Sequence, residues 1–178
     1  MIREDSHYEK ELLLKYSSIF KIEAYFFKED VKRYSRFNKL NLEEAGRILR
    51  YSLALDICKQ KNYNKIATAH NFNDLISSFF INFIRSNHYL NLFNLSPIFK
   101  YQDITIIRPL LFIPKEKIIK ILIKNKIEYI TDKTNLDQKY LRNYINLNFT
   151  QKFIPTLLNK KNIFKNYLYF KDLLEYIH

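Results

Sequence analysis

The sequence has one glycine, Gly46, among its 178 residues. Glycine-rich loops bind phosphates because their backbone comes close to the ligand and often adopts positive φ. With a single glycine, neither a Walker loop nor a dinucleotide-binding fingerprint can be written anywhere in this sequence. The composition therefore excludes the commonest sequence signatures of a nucleotide site.

Cysteine and long apolar runs are also scarce. Cys58 is the one cysteine, which excludes an internal disulfide and a multi-cysteine zinc or iron–sulfur site. No apolar run reaches the roughly 18–20 residues of a membrane-spanning helix, and the charged first residues do not form a signal peptide. We therefore expect no membrane association and a reducing compartment, which is the cytoplasm, or the plastid stroma if the gene is organellar.

Acidic residues are outnumbered by basic ones, 18 against 30, and the formal net charge is +12. Basic residues interleaved with tyrosine and phenylalanine favour a polyanionic partner, above all nucleic acid. A drift towards lysine, asparagine, isoleucine, tyrosine and phenylalanine, which share AT-rich codons, explains the same composition equally well. Charge alone leaves both explanations open.

Hydrophobic periodicity predicts alternating helices and strands. Helices are predicted from about residue 6, over 41–61, over 71–85, after Pro114, over 138–153 and over 162–177, and strands over 19–27, 64–69, 104–107 and 127–130. Residues 28–39 and 86–102 are predicted to be loops. The helix after Pro114 is predicted to have a buried stripe, formed by Ile118, Ile119, Leu122 and Ile123. This order predicts an α/β fold, a Rossmann-like, mostly parallel sheet flanked by helices, with a small helical C-terminal part. We predict one domain over 1–158 and a helical tail over 159–178.

His70 and Asp74 lie four residues apart where the predicted strand 64–69 gives way to a helix. Ligands bind at the carboxyl ends of strands in such sheets. A histidine and a carboxylate there could position a substrate, bind Mg²⁺ or move a proton. A capping aspartate beside a hydrogen-bonded histidine explains the spacing equally well.

Arginines recur at or near the ends of predicted elements. They are Arg47, Arg50, Arg85, Arg108 and Arg142. Arginine suits bidentate contact with phosphate. Each one singly is an ordinary surface charge, but together with the acidic turn they form a plausible site for a polyphosphate or an RNA backbone.

Six short segments, taken together and in this order, resemble the catalytic domain of tRNA(Ile)-lysidine synthetases. They are Glu44-Ala-Gly-Arg-Ile-Leu-Arg-Tyr51, Ala67-Thr-Ala-His-Asn-Phe-Asn-Asp74, Ile107-Arg-Pro-Leu-Leu111, Asp132-Lys-Thr-Asn135, Tyr140-Leu-Arg-Asn143 and Ile154-Pro-Thr-Leu157. The resemblance implies a PP-loop enzyme of the adenine nucleotide alpha hydrolase-like fold that uses ATP and Mg²⁺. Such enzymes adenylate the C2 carbonyl of the wobble cytidine in tRNA(Ile) with a CAU anticodon. Free lysine then displaces AMP to form lysidine.

The resemblance also implies residue roles. The catalytic candidates are Asp74, His70, Arg50 and Arg142, with Asp74 as a candidate Mg²⁺ ligand. The candidates for shaping the ATP site or meeting tRNA are Arg47, Arg85, Arg108, Asp132, Asn135 and Asn143.

One departure from the family pattern is large, because its Ser-Gly-Gly-x-Asp-Ser loop is absent from this sequence. The chain therefore resembles a synthetase without its first strand and phosphate loop, through a misplaced start, a split gene whose other polypeptide supplies the loop, or decay to a remnant. We expect this polypeptide by itself not to turn over ATP. Two alternatives stay open, a tRNA thiolase, against which the single cysteine argues, and a non-catalytic basic tRNA-binding remnant. A homodimer is also open.

Overall fold

The computed structural model describes residues 6–85, 95–131, 141–145 and 147–148. The described residues contain both helices and strands, as the predicted α/β class requires, but the predicted strict alternation is not found, because three helices come first and two of the strands follow one another directly. The elements are α1 Ser6–Phe20, α2 Val31–Phe37, α3 Leu42–Lys61, β1 Lys65–Ala67, α4 Phe72–Arg85, β2 Ile98–Tyr101, β3 Ile104–Ile107, α5 Lys115–Lys124 and α6 Leu141–Ile145. None of the described helices is long and apolar enough to cross a membrane.

The chain divides into two compact units. Among the described residues, the first unit comprises 6–66, 100–105 and 128–130, and the second comprises 67–85, 95–99, 106–127, 131, 141–145 and 147–148. Each unit has its own apolar cluster of buried side chains.

Helix α3 is the longest described element of the first unit, and its start is as predicted. The Asn41 side chain accepts a hydrogen bond from the Glu44 N–H at 2.9 Å, and Asn62 ends the helix in the left-handed region at φ 56°. Its Leu55 and Cys58 are buried with Ile104. Cys58 therefore packs in the first unit's core, as expected of a lone cysteine.

The predicted strand over 19–27 is wrong. Helix α1 continues to Phe20, and residues 22–30 have no regular structure and are exposed. The sequence of this segment is rich in β-branched and aromatic residues, but a strand needs a hydrogen-bonded neighbour to be stable. The described sheet contains β1, β3 and β2 and does not include this segment.

The predicted loop over 28–39 is wrong as well, because it contains the short helix α2. Asp30 is the N-cap, and its carboxylate accepts a hydrogen bond from the Arg33 N–H at 2.9 Å. The aspartate that starts this helix is an ordinary capping signal. The prediction overlooked it because the basic residues that follow show no apolar periodicity.

The sheet has the strand order β1-β3-β2. The Thr105 N–H donates to the Asn64 carbonyl at 3.0 Å, and the Thr68 N–H donates to the Ile107 carbonyl at 2.9 Å. Both strands advance in the same direction between these two bonds, so β1 and β3 are parallel. Strand β1 is shorter than the predicted 64–69, whereas β3 has the predicted bounds.

Strand β2 corrects the predicted loop over 86–102. It begins directly after Pro97 and pairs with β3 through a two-residue turn, in which Gln102 adopts φ 54°. Pro97 does not interrupt this pairing, because its carbonyl accepts the Arg108 N–H at 2.8 Å and no donor is required of it. Since a hairpin pairs its strands in opposite directions, the sheet is mixed.

Helix α5 follows Pro114, which occupies the N-cap position and not the first helical turn. The predicted stripe is not buried, because Ile118, Ile119 and Leu122 are half-buried and Ile123 is exposed. The strand predicted over 127–130 is also wrong. The Ile127 N–H donates back to the Leu122 carbonyl, which places this residue in the turn that ends α5.

The helix predicted over 138–153 is described as α6 at Leu141–Ile145. The predicted final helix and the proposed boundary at residue 158 lie outside the described residues.

Candidate nucleotide and RNA site

The start of α4 is held by a reciprocal cap between Asn71 and Asp74. The Asn71 side-chain oxygen accepts the N–H groups of Asn73 at 2.9 Å and Asp74 at 3.3 Å, and Asp74 Oδ2 accepts the Asn71 N–H at 2.9 Å. This is the capping-box arrangement, with a carboxylate at the third helical position. In the described part of the chain, Oδ2 makes this bond and Oδ1 has no partner. Asp74 therefore is the capping aspartate that one of the two explanations of its spacing predicted. Its second carboxylate oxygen remains for a ligand.

His70 lies between β1 and α4. Its Nδ1 is 2.8 Å from the Thr68 Oγ1, and the Thr68 backbone N–H donates to the Ile107 carbonyl at the end of β3. The contact with Thr68 orients the imidazole ring. The backbone hydrogen bond of Thr68 connects this segment to the end of β3. Thr68 was not predicted as a site residue.

Arg108 directly follows β3 and is only 6% exposed. Its Nη1 donates to the Ser96 carbonyl, and its guanidinium lies over the Phe99 ring with 4.6 Å between Cζ and the ring centroid. Its buried Nε has no hydrogen-bond partner. No carboxylate pairs with Arg108 among the described residues, so a buried positive charge lies at the end of this strand.

A buried asparagine, Asn73, connects the starts of α4 and α5. Its Oδ1 accepts the Lys115 N–H at 3.0 Å, and its Nδ2 lies 3.4 Å from Glu116 Oε1. Pro114 has no side chain that can cap α5, so Asn73 supplies the missing acceptor from another helix. The Phe72 N–H also donates to the Ile113 carbonyl at 3.1 Å. Asn73 was not predicted as a site residue.

These contacts bring three predicted residues to one edge of the second unit. His70 and Asp74 follow β1, Arg108 follows β3, and parallel strands have their carboxyl ends at the same edge of a sheet. An imidazole, a carboxylate oxygen and a buried guanidinium can together bind an anionic ligand and a cationic or metal-bound group.

The remaining predicted arginines do not all join this edge. Arg85 lies in the last turn of α4, about 16 Å along the helix axis from Asp74, so the two cannot contact the same phosphate. Arg47 and Arg50 belong to the first unit, where both are exposed on α3 and lie three residues apart on one helix surface.

Four further predicted residues fall on α6 or outside the described residues. Asn143 is half-buried on α6, which packs on α4. Arg142 lies on the same helix, and its side chain is outside the described part, as are Asp132 and Asn135.

Within the described ranges, no group of three or more histidine, cysteine, aspartate or glutamate side chains is placed to hold a metal ion. Mg²⁺ does not require such a group when it is bound by one or two carboxylates together with substrate phosphates and water. The free oxygen of Asp74 fits this mode of binding.

Comparison with known proteins extends over most of the chain. A family model described as PP-loop domain matches residues 1–153. A tRNA(Ile)-lysidine synthase of Thermosipho africanus is 37% identical over 154 residues, which cover 86% of this chain and 34% of that protein. Proteins of the same name from Mesoplasma florum and Petrotoga mobilis are 35% and 38% identical, over 89% and 75% of this chain and 41% and 42% of their own lengths.

The chain thus spans about a third to two-fifths of the curated relatives it matches. The family match supports ATP as the nucleotide and agrees with the adenine nucleotide alpha hydrolase-like α/β fold that the sequence motifs implied. The match covers well over half of the sequence, so this chain belongs to the PP-loop domain family.

Proposed function

We propose that this chain forms part of a tRNA(Ile)-lysidine synthetase, which uses ATP to attach lysine to the wobble cytidine of tRNA(Ile) with a CAU anticodon. The observation that carries the proposal is the placement of His70, Asp74 and Arg108 at the carboxyl ends of parallel strands. The relatives named tRNA(Ile)-lysidine synthase support the choice of substrate.

The reaction has two steps. The C2 carbonyl oxygen of the cytidine attacks the α-phosphate of ATP and releases pyrophosphate, and the ε-amine of lysine then attacks C2 and releases AMP. Cationic side chains stabilise the charge that develops on the phosphates. In this role we propose Arg108. The family resemblance implies ATP and lysine handling for Arg50 and Arg142. It implies a role in shaping the ATP site or meeting tRNA for Arg47, Arg85, Asp132, Asn135 and Asn143.

Asp74 has two compatible roles in this proposal. Its free carboxylate oxygen attracts the ammonium group of lysine, or would serve as a ligand to Mg²⁺. A bound Mg²⁺ would neutralise phosphate charge. The His70 imidazole, oriented by Thr68, is placed to accept or donate a proton at this edge.

The sequence contains no glycine-rich loop for the β- and γ-phosphates. The proposed reaction requires such a loop, which the assay supplies on a separate polypeptide, and we propose that the reaction takes place in the cytoplasm or in the stroma of a plastid. The purified chain with ATP, lysine and tRNA(Ile) should then release no AMP and form no lysidine. Adding a polypeptide that carries the Ser-Gly-Gly-x-Asp-Ser loop should restore both products.

The measurement is nucleoside mass spectrometry of the recovered tRNA, with release of AMP followed in parallel. The same mixture with Asp74→Asn is the control, and its lysidine formation should fall at least about a hundredfold. Lysidine formation by the chain without added loop would refute the expectation that the chain by itself does not turn over ATP. Tight tRNA binding without ATP-dependent product in any mixture would support the non-catalytic RNA-binding alternative.

A further inference from the structure

The buried guanidinium of Arg108 has an unused hydrogen-bonding edge. Its Nη1 donates to the Ser96 carbonyl, and the Phe99 ring covers one face of the guanidinium plane. Its Nε is buried and has no partner. In an arginine, Nε–H and one N–H of Nη2 point in the same direction and form a fork that matches two oxygens of a carboxylate or a phosphate.

Leaving this edge unpaired is unfavourable. A buried donor without an acceptor loses its hydration without compensation, and the penalty is larger for a charged group. A carbonyl and an aromatic ring partly offset the charge of Arg108, but the described residues provide no carboxylate for it. An arginine serving only as packing would have its Nε–H paired with a neighbouring carbonyl.

The position of Arg108 is that of a ligand-binding residue. It is the first residue after β3, and the Thr68 N–H bonded to the Ile107 carbonyl ties this strand end to the segment leading to His70 and Asp74. The Leu111 N–H donates back to the Arg108 carbonyl at 3.2 Å, so the backbone beyond the strand end is held in a turn. The Ser96 carbonyl and the Phe99 ring hold the guanidinium in place, while its Nε remains unpaired.

We infer that Arg108 binds an oxyanion of a small ligand, a phosphate or a carboxylate group, through its Nε and Nη2 edge. The inference rests on the proposed function for the ligands, since ATP carries phosphates and lysine carries a carboxylate. Because Nε is covered, binding requires a local shift that opens this edge. A long RNA backbone does not fit such a buried position, so the ligand is a small molecule.

The test observes the Arg108 Nε–H directly by nuclear magnetic resonance of the chain labelled with ¹⁵N-arginine. The signal is assigned by its through-space contacts with the Phe99 ring and by its loss in Arg108→Lys. Pyrophosphate and ATP are added in one series, with adenosine as the comparator without phosphate. L-lysine is added in the other, with lysinamide as the comparator without carboxylate.

Displacement of the Arg108 signal by pyrophosphate and ATP, but not by adenosine, identifies a phosphate subsite. Displacement by L-lysine, but not by lysinamide, identifies a carboxylate subsite. Arg108→Lys should weaken binding of the identified ligand about tenfold to hundredfold, since the paired contact to a charged group is lost. The matched control is Lys124→Gln, which removes one exposed charge from α5 and should leave the affinity unchanged.

An unmoved Arg108 signal with saturating pyrophosphate, ATP and L-lysine overturns the inference. Equal affinities of the wild-type chain and a folded Arg108→Lys variant also overturn it and leave Arg108 a packing residue. Equilibrium dialysis with ATP is run separately. ATP binding without a shift at Arg108 refutes only the subsite, whereas a shift with pyrophosphate but no lysidine in the complemented reaction refutes only the proposed function.

Discussion

Asn71 and Asp74 cap each other across the first turn of α4, because each side chain accepts a hydrogen bond from the other residue's backbone N–H. The residue that the family resemblance marks as catalytic is therefore also part of the local structure. A substitution at Asp74 that reduces activity has to be separated from one that loosens the helix.

Asp74→Asn should separate these two effects. The amide oxygen can still accept the Asn71 N–H, so the free energy of unfolding should change by less than about 1 kcal/mol. The charge that attracts an ammonium group or Mg²⁺ is lost, and lysidine formation in the complemented reaction should fall at least about a hundredfold. Urea denaturation and product formation are measured on the same preparation. Unchanged product formation would remove Asp74 from the reaction.

Asn71→Ala should lower the stability of the helix start while leaving the Asp74 carboxylate in the chain. It removes the acceptor for two backbone N–H groups and should lower the free energy of unfolding by about 1 kcal/mol. Asn71→Ser is the matched control, because serine is also a good cap and should keep most of that stability. Equal unfolding midpoints for the alanine and serine variants would contradict a capping role for this side chain.

Asn73→Ala should destabilise the second unit. The buried side chain accepts the Lys115 N–H, and its removal leaves a helix-end donor unpaired, at a cost of about 1–3 kcal/mol. Asn64→Ala is the control, since Asn64 is exposed and its side chain contacts only Lys65 among the described residues. Urea unfolding of both variants checks the difference, and an equal effect would contradict the bridging role of Asn73.

Acid should weaken α2 through Asp30. The Arg33 N–H donates to this carboxylate and holds the pKa of Asp30 below its ordinary value of 3.8. A depressed pKa in the folded state adds stability above the ordinary pKa, and this stability is lost as the pH falls through the folded pKa. The protection of the Arg33 amide against hydrogen exchange, relative to its intrinsic exchange rate at each pH, should therefore fall below about pH 4. Asp30→Asn should remove this pH dependence, and an unaltered profile would contradict the assignment.

Cys58→Ala should leave the reaction intact. The thiol is buried in the first unit beside Leu55 and Ile104, where it packs as an apolar side chain. The free energy of unfolding should fall by about 1 kcal/mol, while lysidine formation in the complemented reaction should stay unchanged. Loss of lysidine formation with an intact fold would contradict a purely packing role for Cys58.

Much of the local structure follows from short sequence signals. The cap at Asn41, the start of α4 at Asn71 and the bounds of β3 were predictable, because each depends on residues within a few positions of one another. The strands predicted over 19–27 and 127–130 were not found, because a strand depends on a hydrogen-bonded partner that a local pattern does not specify. Strand β2 lies in a predicted loop that contains Pro97, but Pro97 is compatible with the pairing because no donor is required at its position.

The sequence by itself determined the family, the α/β class and the identity of the candidate residues, because motif order and periodicity are properties of the sequence. Only the tertiary structure decided which of them meet. It buried Arg108 with an unpaired Nε directly after β3, whose last residue, Ile107, accepts a hydrogen bond from the Thr68 N–H. It placed Arg85 at the opposite end of α4 from Asp74. It also made Asn73 the cap of a helix that begins 42 residues later in the chain. The reason is physical, since burial and cross-element hydrogen bonds depend on which segments pack together and not on their spacing in sequence.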